Sequence, residues 1–486
     1  MYSERGKEIM KKIFTGVLLF LFVFLIGCTS QVTTEDNSNG DDLSFPATIK
    51  GRVLSGAGDM LTAGIIITYP NGDMERVNTN ILSGYVLYLE EGEYTLTFTR
   101  GIEYSSKSVT IEVENYKTYY IDDVRLNHLY DGASMGWYIG ALHQHTTFSD
   151  GKQSVDEVLI SNISSGLHFG YLSDHNTAAG LAEWVQGSRL VSQFDDFGNP
   201  IYFVAMRAVE ITTDYGHFQS LGVGNVLEQA DINPIKGDVP VDEIREIAQE
   251  IVRSGAISTI NHPFATSVLG FNYWELVEEF DGIEIWNGLY PTNRNENLRA
   301  RDKWFELLEQ HRSGEIKFIP ATSGADNHDI TGYYTAAYKD RSTDEKAYKD
   351  DYLLRGVYSN MPSLAIYVEG QLTEEKIHQA IINGNSYLTN GPRVVADIGG
   401  MIYGQTFVLD GVNSVDINLD VFSLDEILEL RIIKNGEIIE TIVPDMDGFS
   451  YSDVYTVNNV SVGDWFVIEV IADFTAYAIT NPIFLG

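Results

Sequence analysis

Between residues 138 and 322 apolar strand-like runs alternate with helical segments, and the chemistry-bearing side chains fall where those runs end. Runs at 138–146, 169–173, 201–212, 218–223, 256–260, 282–286 and 316–322 are rich in strand-forming residues. Ser154 opens a helix with Glu157 three residues on, 241–254 is amphipathic and closed by Gly255, and 298–310 is helical. Such alternation predicts an α/β fold with a parallel sheet or barrel. His143 and His145 end the first run, Asp174-His175-Asn176 follows the second, and Glu210 lies near the end of the third. His217 precedes the fourth, Asn261-His262-Pro263 follows the fifth, Asn287 ends the sixth, and Asp326-Asn327-His328 follows the seventh. The strand ends of a β/α barrel converge on one mouth, so these distant residues are expected to meet.

The spacing itself is that of a metal site. In an extended strand residues i and i+2 share a face, so His143 and His145 can present two imidazoles to one or two neighbouring cations. Six of the ten histidines sit at or beside strand ends: His143, His145, His175, His217, His262 and His328. Asp150, Glu210 and Asp326 accompany them, whereas His128, His168, His311 and His378 read as ordinary core or surface residues. Cys28 is the only cysteine, which leaves the folded part without disulfides or thiolate ligands, so any metal must sit on His and carboxylate.

Residues flanking the alternation are different in texture. Short β-rich runs with turn signals fill 46–126, including Pro70-Asn71-Gly72-Asp73, and alternating strands return over 394–486 with an Asn435-Gly436 turn. Each flank reads as a β-sandwich. The first resembles the carboxypeptidase-regulatory type of accessory domain in its Ile49-Lys50-Gly51-Arg52-Val53 opening and its Glu91-Gly92-Glu93-Tyr94 strand start.

At the N-terminus, Lys11 and Lys12 precede an apolar run over 13–26 that is too short to cross a bilayer comfortably. Leu25-Ile26-Gly27-Cys28 resembles the lipobox of bacterial lipoproteins, which implies diacylation of Cys28 and anchoring to the cell envelope on the extracytoplasmic side. An ordinary secretory signal and a short anchor are the other readings. The segment after it, rich in Ser, Thr, Asn, Asp and Gly, reads as a solvated tether. With 69 acidic and 32 basic residues the formal charge is −37, which repels nucleic acid and anionic membrane surfaces. A phosphate-bearing substrate would therefore need local attraction from metal or from Arg207, Arg294 or Arg393.

Taken in order, His-x-His, Ser-Asp-Gly, Asp-His-Asn, Glu, Gly-His, Asn-His-Pro and Asp-x-His resemble the PHP (polymerase and histidinol phosphatase) superfamily of metallohydrolases. The CehA/McbB type is the nearest in look, through Glu284-Ile285-Trp286-Asn287-Gly288, Ser323-Gly324-Ala325-Asp326-Asn327-His328, the stretch 383–392 and the terminal Thr480-Asn481-Pro482-Ile483. The resemblance implies a distorted seven-stranded (β/α) PHP barrel with N-terminal and C-terminal β-sandwich domains on either side. The expected division is a lipoprotein signal peptide and lipobox over 1–28, a flexible tether over 29–44, a β-sandwich over 45–128, the PHP domain over 129–393 and a second β-sandwich over 394–486.

The same resemblance implies two or three divalent cations, Zn, Mn or Fe. His143 and His145 would bind the first, Glu210 would bridge, and His217 and His262 would serve the second. Asp150 and His175 would complete a third position, with Asp326 and His328 closing the set. A hydroxide held by the cations would attack a phosphoester, ester or carbamate-type bond of a small-molecule substrate, with Glu210, Asp326 and His328 as catalytic groups and His328 or Asp326 moving the proton. Asp174 reads as a residue that orients a ligand imidazole, and Trp286, Asn287, Tyr387, Asn390 and Arg393 are candidates for the substrate wall, a structural role being the alternative for each. His168 stands where the family often has Asp, and Ala208-Val209 where a Gly is common; neither is a ligand position. Two other readings stand beside this one. A surface protein could use the barrel as scaffold and bind a glycan or protein partner. An amidohydrolase-type enzyme also opens with His-x-His, but it needs a carboxylated lysine where this chain has Glu210.

Overall fold

The computed structural model describes residues 32–36, 46–187 except 83, 193–194, 200–201, 203–222 except 215, 240–288 except 267–268, 294–331, and 360–486 except 445–447 and 474. The expected signal peptide over 1–28 with Cys28, Arg294's side chain and the Tyr-rich stretch 332–359 lie outside the described residues.

The N-terminal unit has two antiparallel-rich sheets. One orders Val32–Asp36, Lys117–Ile121, Ala47–Ser55 and Gly84–Leu89, with Val124–Leu126 also on Ala47–Ser55; the other orders Met74–Asn78, Gly64–Thr68, Gly92–Thr99 and Lys107–Val113. Period-two burial builds the core between them: along Lys107–Val113, Val109, Ile111 and Val113 are buried while Ser108, Thr110 and Glu112 are exposed. Val32–Asp36 falls inside the expected tether yet forms a strand, antiparallel to Lys117–Ile121 in the register Val32 to Ile121. Its run of β-branched residues suits the open edge of that strand, which corrects the tether expectation for these five residues.

Among the described residues the curled sheet of the α/β unit runs through β1 Trp137–Ala141, β2 Phe169–Leu172, β3 Val204–Thr213, β4 Gly216–Leu221, β5 Ile257–Ile260, β6 Gly282–Asn287, β7 Ala321–Gly324, β8 Ser363–Tyr367 and β9 Ser386–Thr389. Its helices are α1 Val155–Ser164, α2 Leu181–Gly187, α3 Val241–Arg253, α4 Arg294–Arg312 and α5 Glu374–Asn383. Ser154 and Glu157 form the expected reciprocal cap on α1. The sheet order is β7-β6-β5-β4-β3-β2-β1-β8-β9. Neighbours are parallel within β1-β2-β3 and within β5-β6-β7, but β4 runs antiparallel to both β3 and β5. A tight reversal after Thr213 causes this, and it puts the start of β4, rather than its end, at the mouth.

The sheet is strongly curled and mixed, and it does not close as a ladder between β7 and β1. The second edge of β1 is taken by antiparallel β8, with Trp137 opposite Tyr367. At the mouth the two ends of the curl are tied by backbone hydrogen bonds, Asp326 N donating to His143 O (3.0 Å) and His145 N to Asn327 O (2.9 Å). Beyond β9 the same sheet continues through Ala476–Thr480, Trp465–Ala472, Ile427–Lys434 and Glu437–Ile442. This layer faces a three-stranded sheet of Arg393–Ile398, Ser414–Phe422 and Ser450–Asn458 across a core holding Ile417, Leu430 and Ile468. The C-terminal sandwich therefore shares one layer with the α/β unit. Asn481 bolts the two together, accepting from Ala321 N (2.8 Å) and donating to Ala321 O (3.0 Å) and Ser386 Oγ (2.9 Å).

Candidate metal centre

Glu210, near the end of β3 and fully buried, faces five imidazoles. Its Oε2 lies 3.2 Å from His143 Nε2, 3.3 Å from His145 Nε2 and 2.9 Å from His175 Nδ1. Its Oε1 lies 3.2 Å from both His217 Nδ1 and His262 Nε2, and accepts from Asn261 Nδ2 at 2.8 Å. Asp326 Oδ1 is 3.3 Å from His143 Nε2 and 3.1 Å from His145 Nε2. At the outer rim Asp150 Oδ1 is 3.5 Å from His175 Nε2 and 3.1 Å from His328 Nε2. The structure thus brings all nine expected ligand residues into one continuous cluster.

Three overlapping groups have ligand atoms within 4.8 Å of one another: His143, His145, Glu210 and Asp326; His145, Asp150, His175 and His328; and His175, Glu210 and His217. His145 stacks against both His175 (4.3 Å) and His328 (4.2 Å). Chain geometry holds them there. Asp326 (φ 50°) and His262 (φ 23°) take the left-handed backbone that side chains other than Gly rarely adopt, a strain that accumulates at functional sites.

Residues behind the cluster fix its tautomers. His143 Nδ1 lies 3.2 Å from Glu284 Oε1, so Nδ1 donates to that carboxylate and Nε2 is the nitrogen that faces Glu210 and Asp326. His328 Nδ1 donates to Asp326 O at 2.9 Å, freeing its Nε2 in the same way. Glu284 was not a candidate from sequence; the signal was a lone acid in the apolar run Gly282-Ile283-Glu284-Ile285-Trp286, on the opposite strand face from both isoleucines. Asn261 escaped for the same reason, as one amide beside a histidine.

The remaining expectations divide. Asn287 does reach the cluster, donating to Glu284 Oε2 (3.0 Å) and Asp326 Oδ2 (3.3 Å). Asp174 does not orient an imidazole; it accepts from Thr146 N (2.7 Å), Thr146 Oγ1 (2.7 Å) and Ser149 Oγ (2.6 Å), and so fixes the turn that carries Asp150. Trp286 points away from the cluster onto Tyr477, ring centroids 5.2 Å apart. A bulge explains it: Glu284 pairs with Thr322 but Trp286 pairs with Ser323, so one extra residue shifts Asn287, not Trp286, onto the inner face. Tyr387 is buried against Trp137 in the C-terminal core, and Asn390 clamps another strand by accepting from Tyr477 N (2.8 Å) and donating to Thr475 O (2.9 Å). Arg393 is fully buried against Glu103 of the N-terminal unit at 3.1 Å. None of these four side chains walls the metal cluster.

Burial opposes charge on His143, His145, Glu210 and Asp326, and the partners override it unevenly. Against burial, Asp326, Glu210 and Glu284 hold His143 well above the ordinary histidine range. His145 is pushed down by burial despite Asp326 and Glu210. Glu210 and Asp326, which burial alone would raise, are held well below the carboxylate range, chiefly by His143. Buried polar atoms also stand without hydrogen-bond partners: His143 Nε2, His145 Nδ1, Glu210 Oε2, His217 Nε2 and His262 Nδ1. Native proteins rarely leave such atoms unsatisfied, and an imidazole and carboxylate set of this density fits divalent cations.

No protein-family model matches the chain. No curated protein matches it either. Among solved structures it is similar to a two-domain protein from Bacteroides vulgatus containing a predicted PHP-like metal-dependent phosphoesterase, with 12% identity over 71% of this chain and 95% of that one, TM-score 0.35. It is also similar to a candidate metal-dependent phosphoesterase from Bifidobacterium adolescentis (15% identity, 45% and 96% of the two chains, TM-score 0.26). An amidohydrolase from Chromobacterium violaceum, bound to sulfate and without metal, gives 19% identity over 39% and 87%, TM-score 0.25. Likeness this distant carries no assignment, and the functional reading rests on the cluster itself.

Proposed function

We propose that this chain is a divalent-metal-dependent hydrolase of PHP type, nearest the CehA/McbB group, that cleaves a phosphoester, ester or carbamate-type bond in a small molecule. The observation that carries the reading is Glu210, one carboxylate whose two oxygens are each shared among imidazoles from several strands, as a residue bridging cations must be.

The ligand sets are the three overlapping groups, with His262 beside Glu210 and Zn, Mn or Fe as the chemically suited ions. When bound, such cations lower the pKa of water to supply a nucleophile and polarise the oxygen under attack. The chain's own residues do the rest. Glu284 and Asn287 hold His143 and Asp326 in place, and Asn261 holds Glu210. His328, about a third exposed at the rim, is the imidazole best placed to exchange a proton with a leaving group. We further propose export and lipid anchoring through Cys28, which rests on the Leu25-Ile26-Gly27-Cys28 sequence.

Elemental analysis of protein purified without chelator, with turnover of p-nitrophenyl phosphate, bis-p-nitrophenyl phosphate and p-nitrophenyl acetate, tests the reading. Two or more cations per chain and hydrolysis of at least one ester, both lost in His143→Ala/His145→Ala, are expected. A wild type without metal and without turnover would overturn it in favour of a binding scaffold.

A further inference from the structure

A cavity of about 230 Å³ lies on the outer side of β6, between α4 and the C-terminal sheet. Trp286, Leu298, Arg301, Arg431, Glu469 and Tyr477 dominate its lining, and none of them belongs to the metal cluster. Close-packed interiors leave few voids larger than a water. An apolar void of about 150 Å³ already admits benzene, so this one has room for a six-membered ring with substituents.

The lining decides what kind of ring. Arg301 is set against Glu469 (2.9 Å) and Asp302 (3.0 Å). Arg431 is set against Glu469 (3.4 Å) and Glu429. Tyr477 Oη donates to Glu469 Oε1 at 2.9 Å. Two guanidinium groups thus face three carboxylates, and no surplus positive charge remains to draw in an anion. Planar donor and acceptor edges share the lining with the apolar Trp286, Leu298, Ile471 and Ile479. That combination suits a molecule with hydroxyls around its rim and an apolar C–H face. We infer that this cavity is a second binding site, for an uncharged monosaccharide-sized polyol.

The site is wired to the metal cluster. Asn297, also in the cavity wall, accepts from Asn287 N (3.0 Å) and donates to Asn287 O (3.2 Å). The Asn287 amide in turn holds Glu284 and Asp326. The bulge in β6 sends Trp286 to one site and Asn287 to the other, so a ligand that displaces Asn297 would alter the support of Asp326. Binding at the two sites would then be reciprocal. This coupling rests on the metal reading, whereas the cavity site does not.

The test titrates the full-length protein with a panel of neutral hexoses, their methyl glycosides and N-acetylhexosamines, with glucuronate and sulfate as charged controls. At least one neutral sugar should saturate with a Kd below about 1 mM. Leu298→Trp, which fills the cavity from a half-buried helical position, should weaken it at least tenfold while metal content stays unchanged, and Arg431→Ala should weaken it independently. No saturation by any neutral sugar, saturation by the anions alone, or equal affinity in Leu298→Trp overturns the site. Mn affinity, read by chelator competition with and without the bound sugar, should differ at least twofold; equal values with sugar bound overturn the coupling alone, and a protein that takes no metal but binds sugar overturns the metal reading instead.

Discussion

A carboxylate buried in an apolar strand is costly unless its oxygens are filled. Glu284 meets that condition with His143 Nδ1 on Oε1, and His262 N (2.8 Å) and Asn287 Nδ2 on Oε2. It therefore holds an imidazole, a strained backbone and an amide in one arrangement without needing to touch a cation. Glu284→Gln keeps the shape but loses the charge that fixes the His143 tautomer, so metal affinity should fall about 10- to 100-fold. Chelator competition on the folded variant reads this directly, and an unchanged affinity would remove Glu284 from the site's support. A second residue-level case lies outside the cluster. His168 Nδ1 accepts from Ile139 N at 3.1 Å, and burial pushes its pKa down to about 4, with Glu103 opposing and Arg393 reinforcing that shift. The unfolded chain, at about 6.5, binds the proton first, so this contribution is complete above pH 6.5 and is lost as pH falls toward 4. It amounts to no more than about 3 kcal/mol. Urea midpoints of wild type and His168→Gln should converge over that window; parallel curves would refute it.

Strand β7 is written around the absence of a side chain. A Cβ on Gly324 would collide with Glu284 Oε1 and with His143 Cβ, so β7 can approach β1 and β6 only with glycine there. Gly324→Ala should cost about 1–3 kcal/mol of stability, as overpacking does, and weaken metal binding at least tenfold. Thermal melts beside metal titrations separate the two effects, and a variant that binds metal normally would show that β7 can move aside. Elements of this kind mark the boundary of what a sequence discloses. The His-x-His strand end and the α1 cap are local patterns and could be read directly, whereas the nine residues that meet in the cluster are picked out by their place at strand ends together with the family resemblance. The register shift at Ile285 and Trp286 could not, because period two assigns Trp286 to the inner face and only pairing with β7 shows the extra residue. Glu284 stayed hidden for a related reason: a single acid carries no spacing. Nor does any local pattern announce that β8 takes the free edge of β1, which is what keeps the sheet from closing and carries it into the C-terminal sandwich.

At the scale of the whole molecule, three hydrophobic cores are joined by buried polar contacts. Arg76 of the N-terminal unit donates to Ser164 Oγ and Ser165 Oγ of the α1 end, both at 2.8 Å. Arg393, where the chain enters the C-terminal sandwich, reaches back to Glu103, with the rings of Tyr130 (5.5 Å) and Tyr387 (5.8 Å) against its guanidinium. The N-terminal unit is thereby fastened to both others, and on our proposal of an anchor at Cys28 only three residues separate that cysteine from the strand Val32–Asp36. A lipidated chain would then hold its first sheet within roughly 15 Å of the membrane, at about 3.5 Å per residue. Cys28→Ser should shift the protein from the detergent phase to the aqueous phase on Triton X-114 partition without changing turnover. The Arg393 joint yields a sharper test, because neither partner can be solvated when the other is removed. Burial would raise the Glu103 carboxyl, yet Arg393, with His128 and His168, holds it below its ordinary range. Arg393→Met strands that carboxylate and should cost about 3–5 kcal/mol, while Arg393→Met/Glu103→Gln should recover much of the loss. Cluster residues touch neither side chain, so metal content should be the same in all three proteins. Urea denaturation measures the first pair of outcomes and elemental analysis the third; a single variant as stable as wild type would mean that the Arg393–Glu103 pair is not what fastens the N-terminal unit.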